Sequence, residues 1–413
     1  MKILSLFDGM ACGMLAFRRA DVPVDRYVAY EIDKYAIQVS SHNFPMIEQH
    51  GDVFQADFTE FEGFDFVVGG SPCTYWSIAQ TKNRETEAHG IGWELFQQYV
   101  RAIREAKPRF FIYENNKSMA SAIKEEISNT FGFEPIMINS ALVSAQNRQR
   151  YYWVGIRQED GTYRKANIEQ PIDRGIVLKD ILDEGIALKE KSPCVDANYF
   201  KGGNLSNLNK QSGQRLLVAE PVNVTNEGKS QTIKAQYFKN SIANFVGYTS
   251  TYGATGVAEP IEVRGMNYEL AECNDKDESV IAKLDMPGSH DILTRVYSSN
   301  GKSPTITAMG GGNTEPKVFS DTTKVVSKTP TPHYIVKDGM ITIKGKSYPI
   351  KLPDGEYIIR KLTVSECKRL QTVPDGYDMS VISNTQAYKC LGNGWTVDVI
   401  AHLIEGVMKE EEK

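Results

Sequence analysis

Residues 64–73 read Phe64-Asp65-Phe66-Val67-Val68-Gly69-Gly70-Ser71-Pro72-Cys73. The apolar run is that of a buried strand, and the glycine pair ends it in a turn. A cysteine just past the carboxyl end of such a strand stands where open α/β sheets place their chemistry. Outward from it, further short apolar strands are read at 3–7, 27–31, 109–114 and 150–156. Residues 92–106 carry a helical period and stop before Pro108. Strands alternating with helices predict a mostly parallel, doubly wound sheet.

The 413 residues are 41% hydrophobic and 24% charged, the composition of a soluble globular protein with room for two or three domains. A net charge of -5 argues against unspecific coating of nucleic acid, so any such contact must come from clustered Arg and Lys. The cysteines Cys12, Cys73, Cys194, Cys273, Cys367 and Cys390 form no CxxC pair. Neither a zinc site nor a disulfide framework is expected, and no metal. The N-terminus leads directly into a strand, and no apolar run approaches the ~20 residues of a membrane span. A cytoplasmic protein without membrane contact is the expectation.

After about residue 157 Gly, Asn, Ser and Thr become frequent and the strands short, until roughly 358. This predicts a second, smaller, mostly β and irregular domain. Lys191-Ser192-Pro193-Cys194-Val195-Asp196-Ala197 recurs as Lys229-Ser230-Gln231-Thr232-Ile233-Lys234-Ala235 and as Lys302-Ser303-Pro304-Thr305-Ile306-Thr307-Ala308. The β-branched alternation suggests three similar strands. They read either as a hairpin scaffold or as strands presenting polar groups to a ligand. Thr363-Val364-Ser365-Glu366 has the form of a helix start, and a last helix is expected from Thr396 to Met408.

Phe7-Asp8-Gly9-Met10-Ala11-Cys12-Gly13 joins the first strand to a helix starting near Met14. Glycines there let backbone approach a cofactor, and helix N-terminal amides face it. Glu31 ends the second strand, where a carboxylate can bind ribose hydroxyls. Asp52, in Gly51-Asp52-Val53, is placed to accept from an adenine amino group. Singly, each acid reads equally as a helix cap or a solvated residue.

Addition of a thiolate to C6 of a pyrimidine requires a lowered thiol pKa and a proton or hydrogen bond at ring N3. Glu114 ends the apolar run Arg109-Phe110-Phe111-Ile112-Tyr113, where a carboxyl is partly buried. Arg148 and Arg150, two apart in Gln146-Asn147-Arg148-Gln149-Arg150, share one strand face and suit a cytosine carbonyl and a phosphate. Alone, Cys73 reads as a core residue, Glu114 as a surface acid and the arginines as salt-bridge partners.

As an ordered set these motifs resemble the DNA (cytosine-5)-methyltransferase family: Phe7-Asp8-Gly9, Pro72-Cys73, Glu114-Asn115, the Gln-x-Arg-x-Arg of 146–150, Arg360-Lys361-Leu362-Thr363 and a closing Gly392-Asn393. They span residues 3 to about 405. The first hundred residues look similar to the vertebrate de novo enzymes, the rest to bacterial or phage ones. The resemblance implies a Rossmann-like, S-adenosylmethionine-dependent methyltransferase sheet over 1–157, a target-recognition domain over 158–380 and a C-terminal segment, 381–413, returning to the catalytic domain. It implies Cys73 as nucleophile, Glu114 at cytosine N3, and Arg148 and Arg150 around the pocket. Cofactor contacts carry over to Phe7, Asp8, Gly9, Gly13, Glu31, Ile32, Asp52, Val53, Pro72, Leu95, Asn393 and Gly394. Arg295, Thr305, Thr307, Gly310 and Gly311 match its DNA-reading loops, and a guanidinium such as that of Arg295 can pair with guanine O6 and N7.

The implied reaction methylates C5 of a cytosine flipped from double-stranded DNA and leaves S-adenosylhomocysteine. A monomer is implied, working beside a restriction endonuclease in a restriction-modification system or as an orphan or phage enzyme. The chain departs from the family pattern at Asn116, at Met10-Ala11-Cys12-Gly13 and at Gly394-Trp395. Rival readings are an RNA cytosine methyltransferase, which would need no long region at 157–358, and a catalytically silent DNA-binding relative, against which the intact Cys73, Glu114, Arg148 and Arg150 argue. A small-molecule methyltransferase would leave the Pro-Cys loop unexplained.

Overall fold

A computed structural model describes residues 1–72, 75–77, 84–183, 185–187, 189–201, 217–221, 268–270, 280–284, 295–298, 317–319, 333–343 and 346–411. Cys73, Thr305, Thr307, Gly310, Gly311 and the second and third repeat copies lie outside these residues. Arg295 is described only as the first residue of a strand.

The strand read at 64–69 is β4 (Phe66–Gly69), buried at every residue. It pairs in parallel with β1 (Lys2–Leu6) and with β5 (Phe110–Asn116). On the other side of β1 lie β2 (Arg26–Tyr30) and the two-residue β3 (Glu48–Gln49), both parallel. Then β7 (Gln149–Arg157) runs antiparallel between β5 and β6 (Ile136–Asn139), and β8 (Tyr163–Lys165) pairs with β7. The order is β3-β2-β1-β4-β5-β7-β6. Because the chain leaves β1 toward β2 and returns to its other side at β4, a crevice opens at the carboxyl ends of β1 and β4.

Three strands of this sheet, β3, β6 and β8, are not among those expected from the sequence. Of Ile136-Met137-Ile138-Asn139 only the two isoleucines are buried, a signal too short to separate from the end of a helix. The five expected strands are present, displaced by a few residues at most.

Alternation along the strands builds two cores. Ile3, Phe66, Val68, Phe110 and Ile112 join one that includes residues of α1 (Cys12–Arg19), α2 (Lys34–Asn43) and the C-terminal helix α7 (Val397–Glu411). Leu4, Leu6, Val67, Phe111 and Tyr113 join the other, with α3 (Ile91–Ala106) and α4 (Ser121–Phe131). From α3, burial of Phe96 and Ile103 contributes about 1.5–3 kcal/mol each. Tyr99 Oη donates to the carbonyls of Val67 at 3.0 Å and Ile112 at 2.8 Å, fixing α3 across β4 and β5.

Between them, α5 (Val364–Leu370) begins with the expected cap: Thr363 and Glu366 form a reciprocal capping box. After α6 (Asn384–Asn393), helix α7 packs on α1, and its buried Asp398 pairs with Arg19 and Arg174.

The chain divides into two compact units: 1–220 with 336–354 and 359–413, and 221–335 with 355–358. The boundary expected at 157/158 does not coincide with this division. Residues 158–220 and 359–380 belong to the first unit, because buried residues such as Ala166, Leu178, Val195, Tyr199, Cys367 and Leu370 complete the core around α1 and α7. In the second unit, strands Tyr268–Leu270, Val280–Leu284, Arg295–Ser298 and Lys317–Phe319 form a four-stranded sheet, antiparallel except for its last pair.

Candidate active site

At the carboxyl end of β1 the backbone turns sharply: Phe7, Gly9 and Ala11 all have φ between 56° and 61°. The turn aims the Gly9 amide at Glu31 Oε2, 2.7 Å away. Glu31 Oε1 accepts from the amides of Ile32 and Asp33, each at 2.8 Å. One carboxylate thus ties the β1 loop to the end of β2. Beside it Ile32 is 76% exposed, an apolar side chain with no cover at the rim of the crevice. Asp52 is exposed and caps the short turn after β3 through the Phe54 amide, while Val53 is buried. Leu95, on α3, is half-buried, and Pro72 is exposed.

Two expected cofactor residues turn inward instead. Asp8 is buried, and its Oδ1 accepts from Ser5 Oγ and Tyr27 Oη at 2.7 Å each. Its Oδ2 has no partner, and burial raises the carboxyl pKa to about 6. At Gly13 a Cβ would sit 2.5 Å from Tyr27 Oη. The glycine therefore makes room for the tyrosine that bonds Asp8, not for a ligand.

The strand leading to Cys73 runs hard against Glu114. A Cβ at Gly70 would lie 2.8 Å from both the carbonyl oxygen and Oε2 of Glu114, so only glycine fits. Next to it the buried Ser71 hydroxyl bonds Tyr113 Oη at 2.6 Å, and Asn115 Nδ2 donates to the Ser71 carbonyl at 3.2 Å. Beyond the cysteine, Trp76 is fully buried and its indole donates to Glu85 at 3.0 Å.

Glu114 itself is clamped. Arg150 Nε lies 3.0 Å from Oε1, with both side chains about nine-tenths buried (14% and 13% exposed). Trp395 Nε1 donates to Oε2 at 3.0 Å. Arg150, with Lys117, Ser118, Asn147 and Gln149, also lines an open depression of about 450 Å³.

Arg148 does different work from Arg150. It is buried and donates to the carbonyls of Val195, Gly392 and Gly394 and to Cys194 Sγ. Both of its terminal nitrogens are thus engaged by the protein itself. Gln146 is likewise structural, bonding the Leu370 carbonyl and the Val195 amide. Burial raises the Cys194 pKa, but the two guanidiniums outweigh it and hold the thiol below its ordinary value.

At the other end of the site Asn393 is exposed, and Gly394 closes α6, with its carbonyl taken by Arg148 at 2.9 Å. Trp395 and Cys194 were not among the predicted site residues. The signal for Trp395 was its departure from the closing motif; for Cys194 it was the first repeat copy. A larger cleft of about 570 Å³ lies at the C-terminal turns of α3 and α4. Its lining has Arg104, Lys107 and Arg157 but no carboxylate or thiol. Among the described residues no His, Cys, Asp and Glu group has the makings of a metal site, and no helix is long and apolar enough to cross a membrane.

The sheet is doubly wound, with one carboxylate held by backbone amides at its switch point and a second, on β5, clamped by Arg150 and Trp395. The chain belongs to the C-5 cytosine-specific DNA methylase family, whose model matches residues 1–409. It is therefore an enzyme that transfers a methyl group to C5 of cytosine in DNA, in a family that depends on S-adenosylmethionine. It is 26% identical to the orphan methyltransferase M.Rho11sI of Bacillus phage rho11s, over 99% of this chain and 97% of the relative. With the orphan methyltransferase M.SPBetaI of Bacillus phage SPbeta it shares 27% identity, over 98% and 97%. A solved triple mutant of Spodoptera frugiperda DNMT2 has the same fold at 14% identity, with a TM-score of 0.52 over 99% of each chain.

Proposed function

We propose that Cys73 is the nucleophile, Glu114 the group at the cytosine N3 edge and Arg150 the cation that holds both Glu114 and the base or its phosphate. The observation that supports this most is the closeness of Glu114 to Gly70, three residues before Cys73 in the sequence: a Cβ at Gly70 would lie 2.8 Å from Glu114 Oε2.

The target cytosine must leave the duplex, because C6 is out of reach in the stack. The Cys73 thiolate adds to C6, and the ring electrons move toward N3, where Glu114 supplies the proton or hydrogen bond. C5 becomes nucleophilic; bound S-adenosylmethionine supplies the methyl group, and S-adenosylhomocysteine is the product. Loss of the C5 proton to a base then expels the thiolate and restores the ring.

The residues at the switch point fit such a cofactor. Nothing stands within 4 Å of where a Cβ of Gly9 would be, so the turn is open above its backbone. Glu31 and Asp52 supply acceptors for ribose and adenine, and Ile32 an apolar face. Phe7, Val53, Pro72, Leu95 and Asn393 complete that set. The enzyme needs no metal in this scheme.

The second unit reads the sequence of double-stranded DNA, with Arg295, Thr305, Thr307, Gly310 and Gly311 as its contacts. The enzyme acts as a monomer in the cytoplasm of a bacterial host, as an orphan like the phage relatives named above. The test is methyl transfer from tritiated S-adenosylmethionine to DNA. Cys73→Ser is expected to abolish incorporation, and retained incorporation would remove Cys73 from the mechanism.

A further inference from the structure

We infer that Trp395 is a positioning residue for Glu114 and acts through its indole N–H. The inference rests on the assignment of Glu114 to the cytosine edge. A terminal carboxyl torsion is soft, so one partner on Oε1 leaves the plane of the group free to swing. Arg150 provides that one partner at 3.0 Å, and the indole, 3.0 Å from Oε2, fixes the plane. Gly70 closes the third side, since anything larger would meet Oε2. An indole N–H only donates, so it orients the carboxylate without competing for the proton at N3.

Trp395 is itself held on both sides. Before it, the Gly394 carbonyl takes a hydrogen bond from Arg148 at 2.9 Å, and the Gly394 amide bonds the Cys390 carbonyl at 2.8 Å. After it, Thr396 Oγ1 donates to Gln371 Oε1 at 3.0 Å and bonds Ser140 Oγ at 2.8 Å. The two motif arginines thereby converge on one carboxylate: Arg150 touches it, and Arg148 fixes the peptide from which the indole reaches it. The ring also stands near α1, since a Cβ at Gly13 would lie 3.7 Å from it. A competing role as a wall of the cofactor site must therefore be separated by experiment.

Trp395→Phe keeps the ring and removes the donor. Misplacement of a reacting group by about 1 Å costs up to ~100-fold in rate. Single-turnover methyl transfer should fall at least ~10-fold, with the dissociation constants for S-adenosylhomocysteine and the DNA duplex within about twofold of the parent. In a Glu114→Gln background the same change should cost less than about twofold, because the group it positions is gone. An unchanged rate overturns the proposal. So does a loss appearing as weakened cofactor affinity, or an equal loss in both backgrounds.

A readout independent of turnover comes from the four tryptophans of the chain, whose indole N–H resonances can be resolved. Glu114→Gln should shift the Trp395 resonance more than the other three, and an unmoved resonance refutes the contact. If Glu114→Gln itself retains the full methylation rate, it is the assignment of Glu114 that fails. The indole shift still reports whether the two side chains meet.

Discussion

Asp8 shows how one residue can serve the fold where its motif suggests a ligand. Its carboxyl is buried under the loop, takes two hydroxyl donors and leaves one oxygen bare, so burial outweighs the hydrogen bonds and raises its pKa from 3.8 to about 6. Between those values the folded chain keeps a proton that the unfolded chain has released. Stability therefore falls as pH rises from about 4 to about 6, by an amount on the order of 3 kcal/mol. Urea denaturation across pH 4 to 7 should show this decline, and Asp8→Asn should flatten it within that window. The inward turn was not legible in Phe7-Asp8-Gly9, because the sequence does not show that Tyr27 would reach over Gly13. The same limit hid the contrast between Arg148 and Arg150. Two-residue spacing does place them near one thiol, Cys194, but two of the three carbonyls that occupy Arg148 come from Gly392 and Gly394, 244 and 246 positions away. By contrast, the partial burial of Glu114 was readable from its place at the end of an apolar run.

At the scale of elements, helix and strand signals were strongest where local chemistry and burial agree. Thr363 and Glu366 announced α5 in the sequence, and both halves of the capping box form. Thr363→Ala should cost about 1 kcal/mol, seen as a lower urea midpoint at unchanged slope. An unchanged midpoint would mean that the packing of α5, not its cap, determines its start. Short β6 failed the same test, having two buried side chains and no cap. Its pairing with β7 depends on tertiary contact. The loop before α1 is a third case: Ala11 offers no side-chain cap and adopts a left-handed conformation.

Across the whole molecule, the first unit takes its core from both ends of the chain and from residues 158–220, which texture alone assigned to the reading domain. Composition changes where surface and loops change, whereas a compact unit is set by which apolar side chains share a core. The methyltransferase sheet should therefore respond as a unit to its cofactor. At about 100 times its dissociation constant, S-adenosylhomocysteine should stabilise the protein by roughly 2.7 kcal/mol. Glu31→Ala should lose that thermal shift at the same ligand concentration, while a full shift in the variant would move the ribose site elsewhere.

In the proposed mechanism Cys73 attacks a flipped cytosine beside a clamped Glu114. A duplex carrying 5-fluorocytosine at the target position blocks the final loss of the C5 substituent and holds the adduct. With S-adenosylmethionine present, peptide mapping by mass spectrometry should find the DNA joined to Cys73. The absence of an adduct, or one joined to Cys194 beside the two arginines, would remove Cys73 as the nucleophile.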